Sequence, residues 1–133
     1  MNKRVEVFRR FVADLATLSK CEKRQVAAII TDKSLTQVYS IGINGGPRGL
    51  ADCLCSMGGR YGCVHAEINA LSKCNCSDTD KVMFITLSPC VACAAAIVNS
   101  GFSKVYYLEE WKDTAGLKIL QNANISVIHL HNV

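Results

Sequence analysis

The stretch "KVMFITLSPCVACAAAIVNSGFSKVYYLEE", residues 81–110, decides the fold. "KVMFITL" reads as a strand, and "KVYYLEE" reads as another, rich in the β-branched and aromatic residues that suit a pleated surface. Between them "PCVACAAAIVNSG" reads as a helix, with Pro89 just ahead of it and Gly101 as its stop. Strand, helix, strand in that order predicts parallel pairing through a right-handed crossover. Downstream, "DTAGLKILQNA" continues the alternation as a helix and "ISVIHL" as a final strand.

Upstream the pattern changes. "VAAIIT" is a short continuous apolar run, as expected of a strand buried on both faces. "QVYSIGIN" follows the turn-like "DKS" and predicts an antiparallel partner. Val5, Phe8, Val12 and Leu15 repeat at helical spacing, so residues 3–19 are expected to form an amphipathic helix. Residues 65–73 read as a further helix, whereas "INGGPRG", residues 43–49, crowds three glycines and a proline into an irregular loop. The expected architecture is one α/β domain over residues 1–133, a three-layer α/β/α arrangement around a mixed sheet of about five strands.

Composition narrows the function classes. No apolar stretch reaches transmembrane length and the first twenty residues do not resemble a signal peptide, so a cytoplasmic protein with no membrane partner is expected. Thiols or metal ligands, rather than disulfides, are therefore expected of the eight cysteines. The net charge of +4 comes entirely from residues 1–24, which hold seven basic groups against three acidic ones. A solvated helix face accounts for most of this excess, while Lys20, Lys23 and Arg24 at its end are the part suited to phosphates.

The chemistry lies at two predicted helix starts. Cys90 and Cys93, three positions apart, share one helix face, and a helix N-terminus favours their thiolates. The second start carries "VHAEINA", residues 64–70, with His65 and Glu67 two apart. In mid-helix such a pair would diverge by about 200°. In a first turn both side chains can reach the space ahead of the helix. Two thiolates and one imidazole make a zinc site with an open fourth position, the pattern of catalytic centres. Glu67 is then the proton-handling group rather than a ligand. A redox pair or half of a closed zinc site would explain "CVAC" alone, but neither needs His65 and Glu67.

"HAE" followed by "PCVAC" resembles the zinc-dependent cytidine deaminase superfamily, and the likeness covers the whole chain in element order. It implies a cytidine deaminase-like fold, zinc on His65, Cys90 and Cys93, and Glu67 as proton shuttle. Hydroxide would attack C4 of a cytosine ring while Glu67 protonates N3, and ammonia would leave to give uracil. Free-nucleoside cytidine deaminases usually carry Cys at the place of His65, whereas "HAEINA" and "GINGGPRG" are similar to the deoxycytidylate deaminases, with Ile43 where those have tyrosine. That likeness implies dCMP as substrate, with Asn44 on the deoxyribose, Val26 packed on the base, and backbone around Ala66 and Ser88 reading it.

It also implies regulation by dCTP as activator and dTTP as inhibitor, bound with Mg²⁺ on the glycine-rich loop, and assembly as a homohexamer. The expected effector residues are Gly42, Asn44, Gly45, Gly46 and Gly49 with Lys20, Lys23 and Arg24. A second, structural zinc could use Cys21, Cys53, Cys55 and Cys63, although their spacing lacks the usual ladder of such sites. Two other readings share part of the pattern. A tRNA adenosine deaminase would need a basic, aromatic-bearing groove, and the charge beyond the first helix is balanced, so nucleic acid is not the expected partner. A non-catalytic zinc module would have no use for Glu67.

Overall fold

The computed structural model describes residues 2–21, 23–49 and 63–131. In chain order they form α1 (Lys3–Ala16), β1 (Ala27–Thr31), β2 (Val38–Ile43), α2 (Ala66–Ser72), β3 (Lys81–Leu87), α3 (Val91–Asn99), β4 (Phe102–Glu109), α4 (Ala115–Asn122) and β5 (Ser126–His129). The strands make one mixed sheet in the order β2-β1-β3-β4-β5. β1 is antiparallel to both β2 and β3, and the β3–β4 and β4–β5 pairs are parallel.

Strand alternation builds the two cores. Ala28, Ile30, Met83, Ile85, Val105 and Tyr107 point to one side, where Ala66 and Ala70 of α2, Ala94 and Ile97 of α3, and Leu117 and Leu120 of α4 cover them. Ala27, Ile29, Val82, Phe84 and Tyr106 point to the other, where α1 lays down Val5, Val12 and Leu15. On that side Phe84 stacks between Phe8, at 5.3 Å, and Tyr106, at 4.7 Å between ring centroids. The three-layer expectation is met, with one helix on one face and three on the other.

Helix α1 stops at Ala16, short of the expected residue 19. Amide bonds from Leu18 to the Leu15 carbonyl and from Ser19 to that of Ala16 tighten the last turn. The Ser19 hydroxyl is then committed elsewhere, donating to Asn44 Oδ1 at 2.6 Å. In the β1–β2 hairpin the Asp32 carboxylate accepts from the amides of Thr36 and Gln37 at 2.8 and 3.0 Å. Lys81, at the start of β3, is buried, and its ammonium donates to the carbonyls of Cys76, Asp78 and Ser100. These carbonyl dipoles, with the Phe102 ring 5.4 Å from the ammonium, sustain the buried charge.

Two glycines set how close the helices come. A Cβ on Gly42 of β2 would lie 2.4 Å from the Ala66 carbonyl oxygen and 2.5 Å from the Ala70 nitrogen of α2. A Cβ on Gly116 of α4 would lie 2.1 Å from the Pro89 carbonyl oxygen and 3.0 Å from the Cys90 backbone. At both places the obstacle is backbone, which cannot swing aside like a side chain. Gly42→Ala is therefore expected to cost about 1–3 kcal/mol or more through overpacking. Gly45→Ala, where a Cβ meets nothing within 4 Å, should stay within about 0.5 kcal/mol. Urea denaturation of the two variants beside the parent checks the contrast.

Candidate active site

Because β1 runs against β3, its start lies beside the end of β3, where the Ala27 amide donates to Thr86 Oγ1 at 3.1 Å. Five chain segments meet along this edge of the sheet. They are the approach to β1, the exit of β2, the start of α2, the β3–α3 turn and the exit of β4. Ligands of open α/β sheets bind at the carboxyl ends of the parallel strands, and this is that end.

His65 is the residue capping α2, in extended backbone conformation, and Cys90 caps α3 in the same way. Both side chains therefore project ahead of their helices instead of along them. His65 Nδ1 lies 3.2 Å from Cys93 Sγ and 3.6 Å from Cys90 Sγ. The three donor atoms fall within 4.8 Å of one another, and among the described residues no other such group of three forms. Burial, then the nearby Glu67 and Cys90, push the Cys93 thiol far above its ordinary value. A thiol so placed ionises only for a cation, and one nitrogen with two sulfurs is a donor set that suits zinc.

Glu67 is buried beside them. Burial raises its carboxyl above the ordinary carboxylate value, while its own backbone amide, His65 and the Cys93 thiol pull the other way. A carboxyl raised in this way holds a proton more firmly than an exposed one, which suits a group that carries protons. Asn69, a turn further along α2, donates to the Ile43 carbonyl at 2.7 Å and ties the helix to the exit of β2.

These groups open into a cavity of about 350 Å³ whose walls include Val26, Asn44, Ala66, Leu87, Ser88 and Trp111, with Lys23 and Arg24 also lining it. Asn44 is the hub of one wall. Its Oδ1 accepts from the Ser19 hydroxyl and from the Val26 amide, and its Nδ2 donates to the Arg24 carbonyl at 2.6 Å. Among the described residues its second amide hydrogen meets no acceptor. Ser88 is buried, its hydroxyl accepting from the Trp111 amide at 2.7 Å. Trp111 thus forms a wall of the cavity, while Tyr106 sits in the α1-side core.

The residues expected to bind an effector divide. Lys20, Asn44, Gly45 and Gly46 line a second cavity of about 610 Å³, with Arg48 and Lys73. Lys23 and Arg24 belong to the first cavity instead. Gly42 faces the backbone of α2, and Gly49, at φ +92°, has open space around its α-carbon. Arg48 and Lys73 carried no signal of their own in the sequence, since their neighbourhood is made by folding.

Of the cysteines considered for a second zinc, Cys53 and Cys55 lie outside the described residues. Cys63 is disulfide-bonded, which corrects the expectation of a thiol or metal ligand there. A sulfur held in an S–S bond has no thiolate to offer. Cys21 is a buried thiol on the wall of the first cavity.

A sequence profile of the cytidine and deoxycytidylate deaminase zinc-binding region matches residues 2–109. The deoxycytidylate deaminase of Saccharomyces cerevisiae is 31% identical over 137 residues, covering 90% of this chain and 42% of its own length. The chain thus spans less than half of that relative. The deoxycytidylate deaminase of Mycobacterium phage D29 is 31% identical over 122 residues, with 79% of this chain and 94% of the phage protein covered. Among solved structures, the dCMP deaminase of cyanophage S-TIM5 in complex with dCMP and dUMP superposes with a TM-score of 0.87 at 28% identity, covering 98% of this chain and 99% of that one. Sequence profile, relatives and superposition agree with the pairing of "HAE" and "PCVAC" at two facing helix starts: the chain belongs to the cytidine and deoxycytidylate deaminase family.

Proposed function

We propose that the chain catalyses hydrolytic deamination of dCMP to dUMP and ammonia. The observation that carries this reading is the convergence of His65, Cys90 and Cys93 beside a buried Glu67, in a cavity with a basic mouth. The likeness to the phage enzyme in complex with dCMP and dUMP supports it.

His65, Cys90 and Cys93 would hold zinc, which when bound brings the pKa of a water to about 7. Glu67 would take one proton from the attacking water and pass it to N3 of the ring, then take a second from the hydroxyl of the C4 adduct and pass it to the departing amine as the C4–N bond breaks. Its burial suits the task, because desolvation strengthens the carboxyl's hold on the proton it must carry. Val26, Leu87 and Trp111 offer apolar surface to the base and sugar, and the spare Asn44 amide hydrogen suits the deoxyribose hydroxyl. Backbone around Ala66 and Ser88 borders the base. Lys23 and Arg24 are placed for the 5′-phosphate rather than for an effector.

The second cavity supports a regulatory reading. Lys20, Arg48 and Lys73 are cations on its wall, no acidic residue lines it among the described residues, and Gly45 and Gly46 bring backbone close. A nucleoside triphosphate with Mg²⁺ fits that chemistry, with dCTP activating and dTTP inhibiting. Asn44 borders both cavities, so a ligand in one meets a residue of the other. Val7, Phe11, Leu18, Val38 and Ile41 are exposed apolar residues that assembly as a homohexamer would cover. No helix among the described residues is long and apolar enough to cross a membrane, and a free-nucleotide substrate fits the cytoplasm.

Glu67→Gln is expected to keep its fold and its zinc, measured by circular dichroism and metal analysis, while dCMP turnover falls by at least about 10²–10⁴-fold. Loss of zinc in that variant would make Glu67 a ligand and end the proton-shuttle role. Ultraviolet-monitored turnover with Mg²⁺ should rise with dCTP and fall with dTTP. Turnover that ignores both would discard the regulatory reading and keep the enzyme.

A further inference from the structure

Arg24, on the wall of the first cavity, faces Glu109, which is not among the residues lining it. Arg24 lies on the approach to β1 and Glu109 ends β4. Their backbones are tightly held: the Arg24 carbonyl accepts from Asn44 Nδ2 at 2.6 Å, and the Glu109 carbonyl accepts from the Ser88 amide at 2.8 Å. Their side chains are not. Arg24 Nη2 stands 3.6 Å from Glu109 Oε2, and the two side chains are 51% and 73% exposed. An ion pair this open and this long is weak, and salt screens it further.

Around the cavity the charges are unequal. Lys23 and Arg24 line its wall, and among the described residues lining it the buried Glu67 is the acidic one. A guanidinium fork binds a phosphate by two parallel hydrogen bonds and with greater charge than one carboxylate supplies. Arg24 therefore has two alternative anions, one built into the chain and one brought by the ligand.

We propose that Glu109 is a positioning residue that holds the Arg24 guanidinium at the cavity mouth and yields it to the 5′-phosphate of a nucleoside monophosphate. The inference rests on the dCMP reading above. An uncharged nucleoside leaves the pair intact, so the competition from Glu109 is felt by phosphorylated ligands alone. The exchange is paid in affinity: part of what the phosphate gains on Arg24 is spent on releasing Glu109.

The test measures kcat and KM for dCMP and for deoxycytidine with the zinc-loaded parent, Glu109→Gln, Arg24→Gln and the double variant, with Glu110→Gln as a control of equal charge change. Glu109→Gln is expected to lower KM for dCMP about two- to fivefold with kcat moving less than twofold, the size of an exposed ion pair. The KM for deoxycytidine should not follow. Arg24→Gln should raise KM for dCMP, and in that background Glu109→Gln should have no further effect. A parental KM for dCMP in Glu109→Gln, or an equal fall with and without Arg24, or an equal fall in Glu110→Gln, would overturn the positioning role and leave the substrate reading standing. No dCMP turnover by the parent would overturn both.

Discussion

The site depends on two places where backbone touches backbone. Gly42 lets α2 settle on β2 until the Ala66 carbonyl and Ala70 nitrogen occupy the space a Cβ would need. Gly116 lets α4 settle against Pro89 and Cys90. The first contact fixes the helix that begins with His65 and Glu67, and the second supports the turn that presents Cys90. Donor atoms that must meet within 4.8 Å cannot tolerate a helix displaced by the width of a methyl group. The metal-ligating geometry is therefore decided one layer behind the ligands, by residues that touch no ligand.

Topology supplies the rest of the cavity. An all-parallel sheet would place only strand exits and helix starts at this edge. Here the antiparallel β1 brings its own approach, residues 23–26, to the same edge. Asn44 joins that approach to the exit of β2 through two side-chain hydrogen bonds, to Val26 and Arg24, and a third ties it to Ser19 beyond α1. The basic groups Lys23 and Arg24 reach the cavity for this reason, although they are distant in sequence from every metal-binding residue.

Much of this was legible in the sequence because it is local. Strand and helix periods, Pro89 before α3 and the spacing of His65, Glu67, Cys90 and Cys93 all lie within single elements, and the structure brings the donors together as expected. The division of Lys20 from Lys23 and Arg24 between two cavities was not legible, since a turn of the chain by one or two residues decides which way each points. Nor was the role of Trp111, which depends on a bond from its amide to the buried Ser88 hydroxyl. Gly42 reads as part of a glycine-rich loop in the sequence and proves to be a packing residue within a strand. Lys81 opens β3 like a surface residue and is in fact enclosed by carbonyls.

Among the described residues one face of the sheet is covered by α1 alone, and this has a consequence for how the chain acquires its structure. Val5, Val12 and Leu15 pack on Ile29, Val82, Phe84 and Tyr106, most of which come far later in the sequence. During synthesis from the N-terminus α1 leaves the ribosome with its apolar stripe uncovered until β3 and β4 have followed. Contacts of such long sequence separation close late and slow folding. The opposite layer is built from strand–helix–strand neighbours and can consolidate as each unit appears. The nascent chain thus carries a helix that waits, and the delay falls on the face remote from α2, α3 and α4.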